Sequence, residues 1–164
     1  MGAGKSSVGR ALARRTALPL FDTDQLVSER LELPITEIFA QRGEEEFRAC
    51  ETTMLAEIPR EPAIVVTGGG IVLRTENMAA MKRLGAIVHL TADEDTLFER
   101  ATRRATRPLL KTDDPRATFA ELLRARAPLY SAAADVAVDT TGLRHEEVVT
   151  AVLEAIAQFQ QHVG

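Results

Sequence analysis

A glycine-rich stretch ending in a lysine and two serines, Gly2-Ala3-Gly4-Lys5-Ser6-Ser7, is suited to holding phosphate. The glycines let backbone N–H groups turn inward towards one anion, and the following helix adds its positive end. Lys5 can reach the outer phosphates, and the Ser6 hydroxyl can bind magnesium. The full form of such a loop has one more glycine, whose place falls before Met1. As a fragment, the same residues also read as a glycine-rich helix start with an exposed lysine.

Asp22 and Asp24 alternate around Thr23, so in an extended segment both carboxylates point to one side. Beside a phosphate loop, one can hold magnesium through water while the other orients an attacking hydroxyl and accepts its proton. Simple capping of the helix that starts at QLVSERL is the alternative. Arg48 and Glu51 are three apart and share a helix face; as a solvated ion pair they carry little weight. Arg107 precedes Pro108 at the start of a polar break, where a solvated helix terminus is the plain reading. Arg126 falls near the end of a helix, just before APLY, where the helix dipole favours it. Three glycines, Gly68 to Gly70, follow a buried strand; they cost chain entropy and are best explained by close approach of the backbone to a ligand. His89 reads as a packed strand histidine, His145 and His162 as surface helix residues, and Cys50 as packing.

These residues need a scaffold, and the hydrophobic pattern supplies one. Val8 and Leu12 lie one helical turn apart. LPLF is a short buried strand, followed by helical pieces QLVSERL, PITEIFAQ with Pro34 in its first turn, and EEEFRACETTMLAEI after a break at Gly43. AIVVT is a short β-branched strand covered on both faces, AIVHLT another buried strand, and DVAVDT a strand. Between them come TENMAAMKRL with Thr75 as cap, DEDTLFERATRR, the break RPLLKTDDPRA, and TFAELLRARA. The closing helix carries Val148, Val149, Val152, Leu153 and Ile156 on one stripe. Alternating strands and helices predict an α/β fold, a parallel β-sheet sandwiched by helices, with ligands beyond the carboxyl ends of the strands.

A length of 164 residues suits one domain with a real core. The net charge of −4 disfavours broad attraction to nucleic acid or an anionic membrane, so an anionic ligand must be held by local basic groups. The single cysteine excludes an internal disulfide and any multi-cysteine metal site. No apolar run approaches the roughly 20 residues that span a bilayer, and a cytoplasmic location is expected.

Taken together, GAGKSS, FDTD, IFAQRGEEEFRACE, GGG, RPLL and RAPLY, in this order and spanning most of the chain, resemble the shikimate kinase family. The resemblance implies a P-loop NTP hydrolase-like fold forming a single domain over 1–164. It also implies a substrate-binding helical insert at about 24–58 and a lid at about 106–117. In its terms Gly2, Ala3, Gly4, Lys5, Ser6 and Ser7 wrap the ATP phosphates, Lys5 on the transferred group and Ser6 on Mg2+. Asp22 supports the metal shell, and Asp24 binds the shikimate hydroxyls and serves as base. Arg48 and Arg126 clamp the substrate carboxylate with planar guanidinium donors, Glu51 steadies Arg48, and Gly69 and Gly70 bring backbone donors. Arg107 arrives from the lid to neutralise phosphate charge, and Arg100 lies near the adenine. The implied reaction moves the γ-phosphoryl group of ATP to the 3-hydroxyl of shikimate, in chorismate and aromatic amino acid biosynthesis. Such transfer is mainly positioning and charge stabilisation, which suits cations, a metal and one carboxylate. A lid that closes excludes water as a competing acceptor. A monomer acting on a small molecule is expected, without nucleic-acid or membrane partners.

Two features depart from the family pattern. Leu143 stands where an arginine often lies against adenine, with Arg144 beside it. The family's central first strand, some five or six residues by usual strand length, has no residues here. The expectation is therefore that Met1 is internal to a longer natural chain, and that strands next to the gap have unpaired backbone groups. Two other readings compete. One is a gluconate-type kinase of the same fold, disfavoured because paired arginines with GGG suit a cyclic carboxylate. The other is a ligand-sensing domain, disfavoured because Asp22 and Asp24 are both retained.

Overall fold

The computed structural model describes residues 2–103, 110 and 112–163. Helix α1 (Lys5–Thr16) starts directly from the glycine loop, where Gly4 takes a left-handed φ of 77° and its carbonyl accepts the Ser7 and Val8 N–H groups at 3.0 Å. Strand β1 (Leu20–Asp22) leads into helices α2 (Thr23–Leu31), α3 (Ile35–Gln41) and α4 (Gly43–Glu57). Strand β2 (Ile64–Val66), helix α5 (Thr75–Leu84), strand β3 (Val88–Thr91) and helix α6 (Glu94–Thr102) follow, then helix α7 (Pro115–Ala133), strand β4 (Val136–Asp139) and helix α8 (His145–Val163).

β1 pairs with β2 in parallel, Phe21 opposite Val65, and β3 pairs with β4 in parallel, His89 opposite Ala137. Successive strand residues point to opposite faces, and each pair uses both. Ile64, Val88, Leu90 and Val136 pack with Val8 and Leu12 of α1 and Val148, Val149 and Val152 of α8. Phe21, Val65 and Ile87 pack the other way, on Leu55 of α4, Ala80 and Met81 of α5 and Ala133 of α7. Both pairs thus lie in one layer between the same helices, which is the expected α/β sandwich. The sheet itself is divided: among the described residues no backbone hydrogen bond joins β2 to β3. A cavity of about 270 Å³ lies beside β3, with Ala3, His89, Leu123 and Tyr130 in its walls. No described helix is long and apolar enough to cross a membrane.

Two local expectations are corrected. α7 does not stop before APLY but runs through Pro128 to Ala133, so Arg126 stands in its interior rather than near its end. An interior proline forfeits a backbone bond and costs about 3 kcal/mol; burial of Ala133 and the packing of Tyr130 at the far side of the proline offset it. Asp22 and Asp24 do not share an extended segment. The strand ends at Asp22, which caps α2 by accepting the Asp24 N–H at 3.1 Å, and Asp24 belongs to the first turn. A smaller correction is that Thr75 is the first helical residue of α5, Arg74 holding the cap position.

Gly9 is where α1 touches the strands: a Cβ there would lie 2.2 Å from Val66 Cγ2. Gly9→Ala is expected to overpack this contact, costing about 1–3 kcal/mol and lowering the thermal midpoint by roughly 2–12 °C. A circular dichroism melt checks it, and an unchanged midpoint contradicts so close a contact.

Candidate active site

A cavity of about 760 Å³ opens at the carboxyl ends of β1 and β2. The glycine loop forms one end, with Gly2, Gly4, Lys5, Ser6 and Ser7 in the lining. Gly2 also takes a φ of 77°, and a Cβ on it would stand 2.1 Å from the Leu97 carbonyl oxygen. Any side chain would therefore both strain the backbone and collide with α6. Ala3 faces away from this cavity, buried against Leu97, Ala101 and Phe119.

The strand register explains why Asp24 meets the triple glycine. Asp22 is opposite Val66, so two residues on, Asp24 and Gly68 leave the pair at the same end. Buried Thr23 fastens the junction, its hydroxyl accepting the Gly68 N–H at 3.3 Å. A Cβ on Gly68 would lie 2.7 Å from Asp24 Oδ1 and 2.6 Å from Glu51 Oε1, and one on Gly70 would lie 2.3 Å from Arg48 Cζ. Gly68 and Gly70 are thus closely approached by the site's own side chains.

Arg48 and Glu51 are not a solvated pair. Glu51 is fully buried and Arg48 is 7% exposed. Arg48 Nη1 donates to Glu51 Oε2 at 2.8 Å, and Nη2 donates to Glu44 at 3.1 Å. Burial opposes the Arg48 cation, but Glu51 and Glu44 outweigh it and hold the guanidinium above its ordinary value. Burial pushes the Glu51 carboxyl up, against the pull of Arg48. Glu51 Oε1 has no partner among the described residues. Glu51 stands behind Arg48, outside the lining.

Arg126, 6% exposed, reaches the same cavity from α7. Arg100 lines it from α6 and is tied to the end of β4, donating to Thr140 Oγ1 at 2.8 Å and to the Thr140 carbonyl at 3.1 Å. The structure thus brings together Lys5, Ser6, Asp24, Arg48, Gly69, Gly70, Arg100 and Arg126 around one space. Asp22 stands outside the lining, its Oδ1 accepting the Asp24 N–H. Arg107 lies outside the described residues, as do residues 106, 108, 109 and 111 of the 106–117 segment. Of the remainder, Asp114 caps α7 and Pro115 opens it. Leu143 packs into the core, and Arg144 pairs with Glu147 at 2.7 Å on the surface.

Sequence reasoning missed Arg103 and the apolar wall of Pro34, Ile35, Phe39 and Phe47. Spacing held the signal for both: Arg100 and Arg103 are three apart on one helix, and Ile35 and Phe39 are four apart. His89 is half-buried in the adjoining cavity, its ring centroid 5.1 Å from that of Tyr130. Burial, with Lys5 nearby, pulls its pKa down.

A phosphate loop at the head of α1, parallel strands between helix layers and buried arginines around one cavity define a small-molecule kinase of the phosphate-loop class. Residues 1–157 match the family model described as shikimate kinase. A shikimate kinase of Rhizobium meliloti is 40% identical over 98% of this chain and 84% of its own length; one of Thermodesulfovibrio yellowstonii is 40% identical over 94% and 89%. Among solved structures, the Acinetobacter baumannii shikimate kinase in complex with shikimate has a TM-score of 0.88 at 31% identity, covering 96% of this chain and 89% of that one. The chain belongs to the shikimate kinase family.

Proposed function

We propose that this chain transfers the γ-phosphoryl group of ATP to the 3-hydroxyl of shikimate. The observation that carries the reading is the convergence of two buried guanidinium groups, Arg48 and Arg126, on a cavity that also holds Asp24 and the phosphate loop. Two planar cations suit one carboxylate on a compact substrate. Asp24 then meets the hydroxyl groups, orients the attacking oxygen and accepts its proton. Lys5, Ser6 and Ser7 with the loop's backbone N–H groups hold the ATP phosphates, and Lys5 follows the charge of the transferred group. Gly69 and Gly70 offer backbone donors to the substrate, and Arg107 joins the phosphates from the 106–117 lid. Arg100 serves the adenine side, a reading supported by its place in the lining beside Thr140.

The donor set also fits magnesium. Among the described residues no three His, Cys, Asp or Glu side chains gather into a cage. Mg2+ does not need one, because it keeps several waters and takes its other oxygens from substrate phosphates. The Ser6 hydroxyl would hold it directly and Asp22 through water. Bound there, the ion screens phosphate charge. The enzyme acts as a cytoplasmic monomer on this reading.

Coupled ADP release with ATP and a panel of acceptors tests the function. Shikimate-dependent release well above that with gluconate is expected; no preference for shikimate overturns the reading. Gly70→Ala serves as an internal check, since the added methyl must displace Arg48. The shifted guanidinium weakens a hydrogen bond between charged groups, worth about 1.5–3 kcal/mol, so a rise of roughly 10- to 100-fold in the shikimate Kd is expected by calorimetry. An unchanged Kd contradicts the role of Arg48.

A further inference from the structure

Arg126 and Tyr130 are one helical turn apart on α7, and while the arginine enters the substrate cavity, the tyrosine ends on the triple glycine. The Tyr130 hydroxyl donates to the Gly69 carbonyl at 2.5 Å. That carbonyl belongs to the central peptide of a turn closed by the Ile71 N–H on the Gly68 carbonyl at 3.2 Å. Gly70, with φ −93° and ψ −1°, gives the turn its type I form.

A type I turn becomes type II when its central peptide flips by about half a turn, provided the third residue accepts positive φ. Glycine accepts it with no steric cost, so Gly70 leaves both orientations open to the bare chain. In a planar trans peptide the C=O and N–H point opposite ways. Fixing the Gly69 oxygen therefore fixes the Gly70 N–H. Tyr130 lines the cavity beside β3, not the substrate cavity, whereas Gly69 borders both. The Gly69–Gly70 peptide stands between them, its oxygen turned to Tyr130 and its N–H away from it. Neither the Gly69 nor the Gly70 N–H has an acceptor among the described residues.

We propose that Tyr130 is a positioning residue that locks the Gly69–Gly70 peptide in one orientation and so presents the Gly70 N–H to an oxygen of the bound substrate. The role in catalysis rests on the shikimate reading of the site; the lock itself does not. The His89 ring, packed on Tyr130, holds the phenol in place.

Tyr130→Phe removes the hydroxyl and keeps the ring. The shikimate KM is expected to rise roughly 2- to 12-fold, the worth of one hydrogen bond. The kcat and the ATP KM stay within about twofold, because a contact made equally in ground and transition states acts on KM alone. In nitrogen-15 NMR spectra of the ligand-free variant, the Gly70 amide signal broadens through exchange between two orientations while remaining sharp in the parent protein. The proposal is overturned if the Gly70 signal stays sharp and unshifted. It is equally overturned if the ATP and shikimate KM rise together with a fall in thermal midpoint, the pattern of a merely structural tyrosine. If the parent protein does not bind shikimate, the functional reading fails, and the Gly70 signal still decides the lock.

Discussion

Asp24→Asn is expected to lower shikimate-dependent turnover by about 10²- to 10⁴-fold, the range associated with loss of a general base. The substitution keeps the shape of the side chain and removes its ability to take up a proton. Asp24 lies in the first turn of α2, where a carboxylate is favoured by the helix dipole by about 0.3–1 kcal/mol; the fold therefore loses little. Its place between Gly68 and the cavity is fixed by the β1–β2 register and by Thr23, none of which the variant alters. ATP binding, made by the loop at the far end of the cavity, stays near its parent value. Stopped coupled assays for turnover, nucleotide titration for binding and a thermal melt for folding separate these effects. Turnover within threefold of the parent contradicts the assignment of Asp24 as base.

Arg126→Met addresses the other end of the substrate. Arg126 is 6% exposed and stands inside α7 rather than at a frayed terminus. Truncating one member of a buried charge pair costs about 2–5 kcal/mol, so kcat/KM for shikimate is expected to fall by roughly 30- to 5,000-fold. Methionine retains much of the length and apolar volume of the arginine stem. The ATP KM stays unchanged. A shikimate analogue without the carboxylate is turned over equally by parent and variant, because the lost interaction was never made with it. A variant that still prefers the carboxylate-bearing substrate contradicts the clamp.

The element order and the chemistry at the strand ends were legible because their signals are local. β-branched runs marked β2, β3 and β4, glycines marked the loop, and Asp24, Arg48 and Arg126 stood in recognisable motifs. What was misread depends on tertiary contacts. Pro128 signals a helix end on local grounds, yet packing beyond it carries α7 on to Ala133. The capping role of Asp22, by contrast, was legible from its place before α2, and its Oδ1 accepts the Asp24 N–H. The triple glycine was legible as a place of close approach; that Arg48, Glu51 and Asp24 come close to Gly68 and Gly70 was not, since they are brought from other elements. The Oε1 of Glu51, without a partner among the described residues, and the bond from Tyr130 to Gly69 have no sequence signal, since each depends on side chains that meet only in the fold.

The most direct test of the convergence of Asp24, Arg48 and Arg126 on one substrate is a crystal structure of this chain with shikimate and ADP. The shikimate carboxylate is predicted between the two guanidinium groups, at hydrogen-bond distances of about 2.7–3.2 Å, with the 3-hydroxyl on Asp24. A carboxylate bound elsewhere, with Asp24 remote from every hydroxyl, would contradict the account.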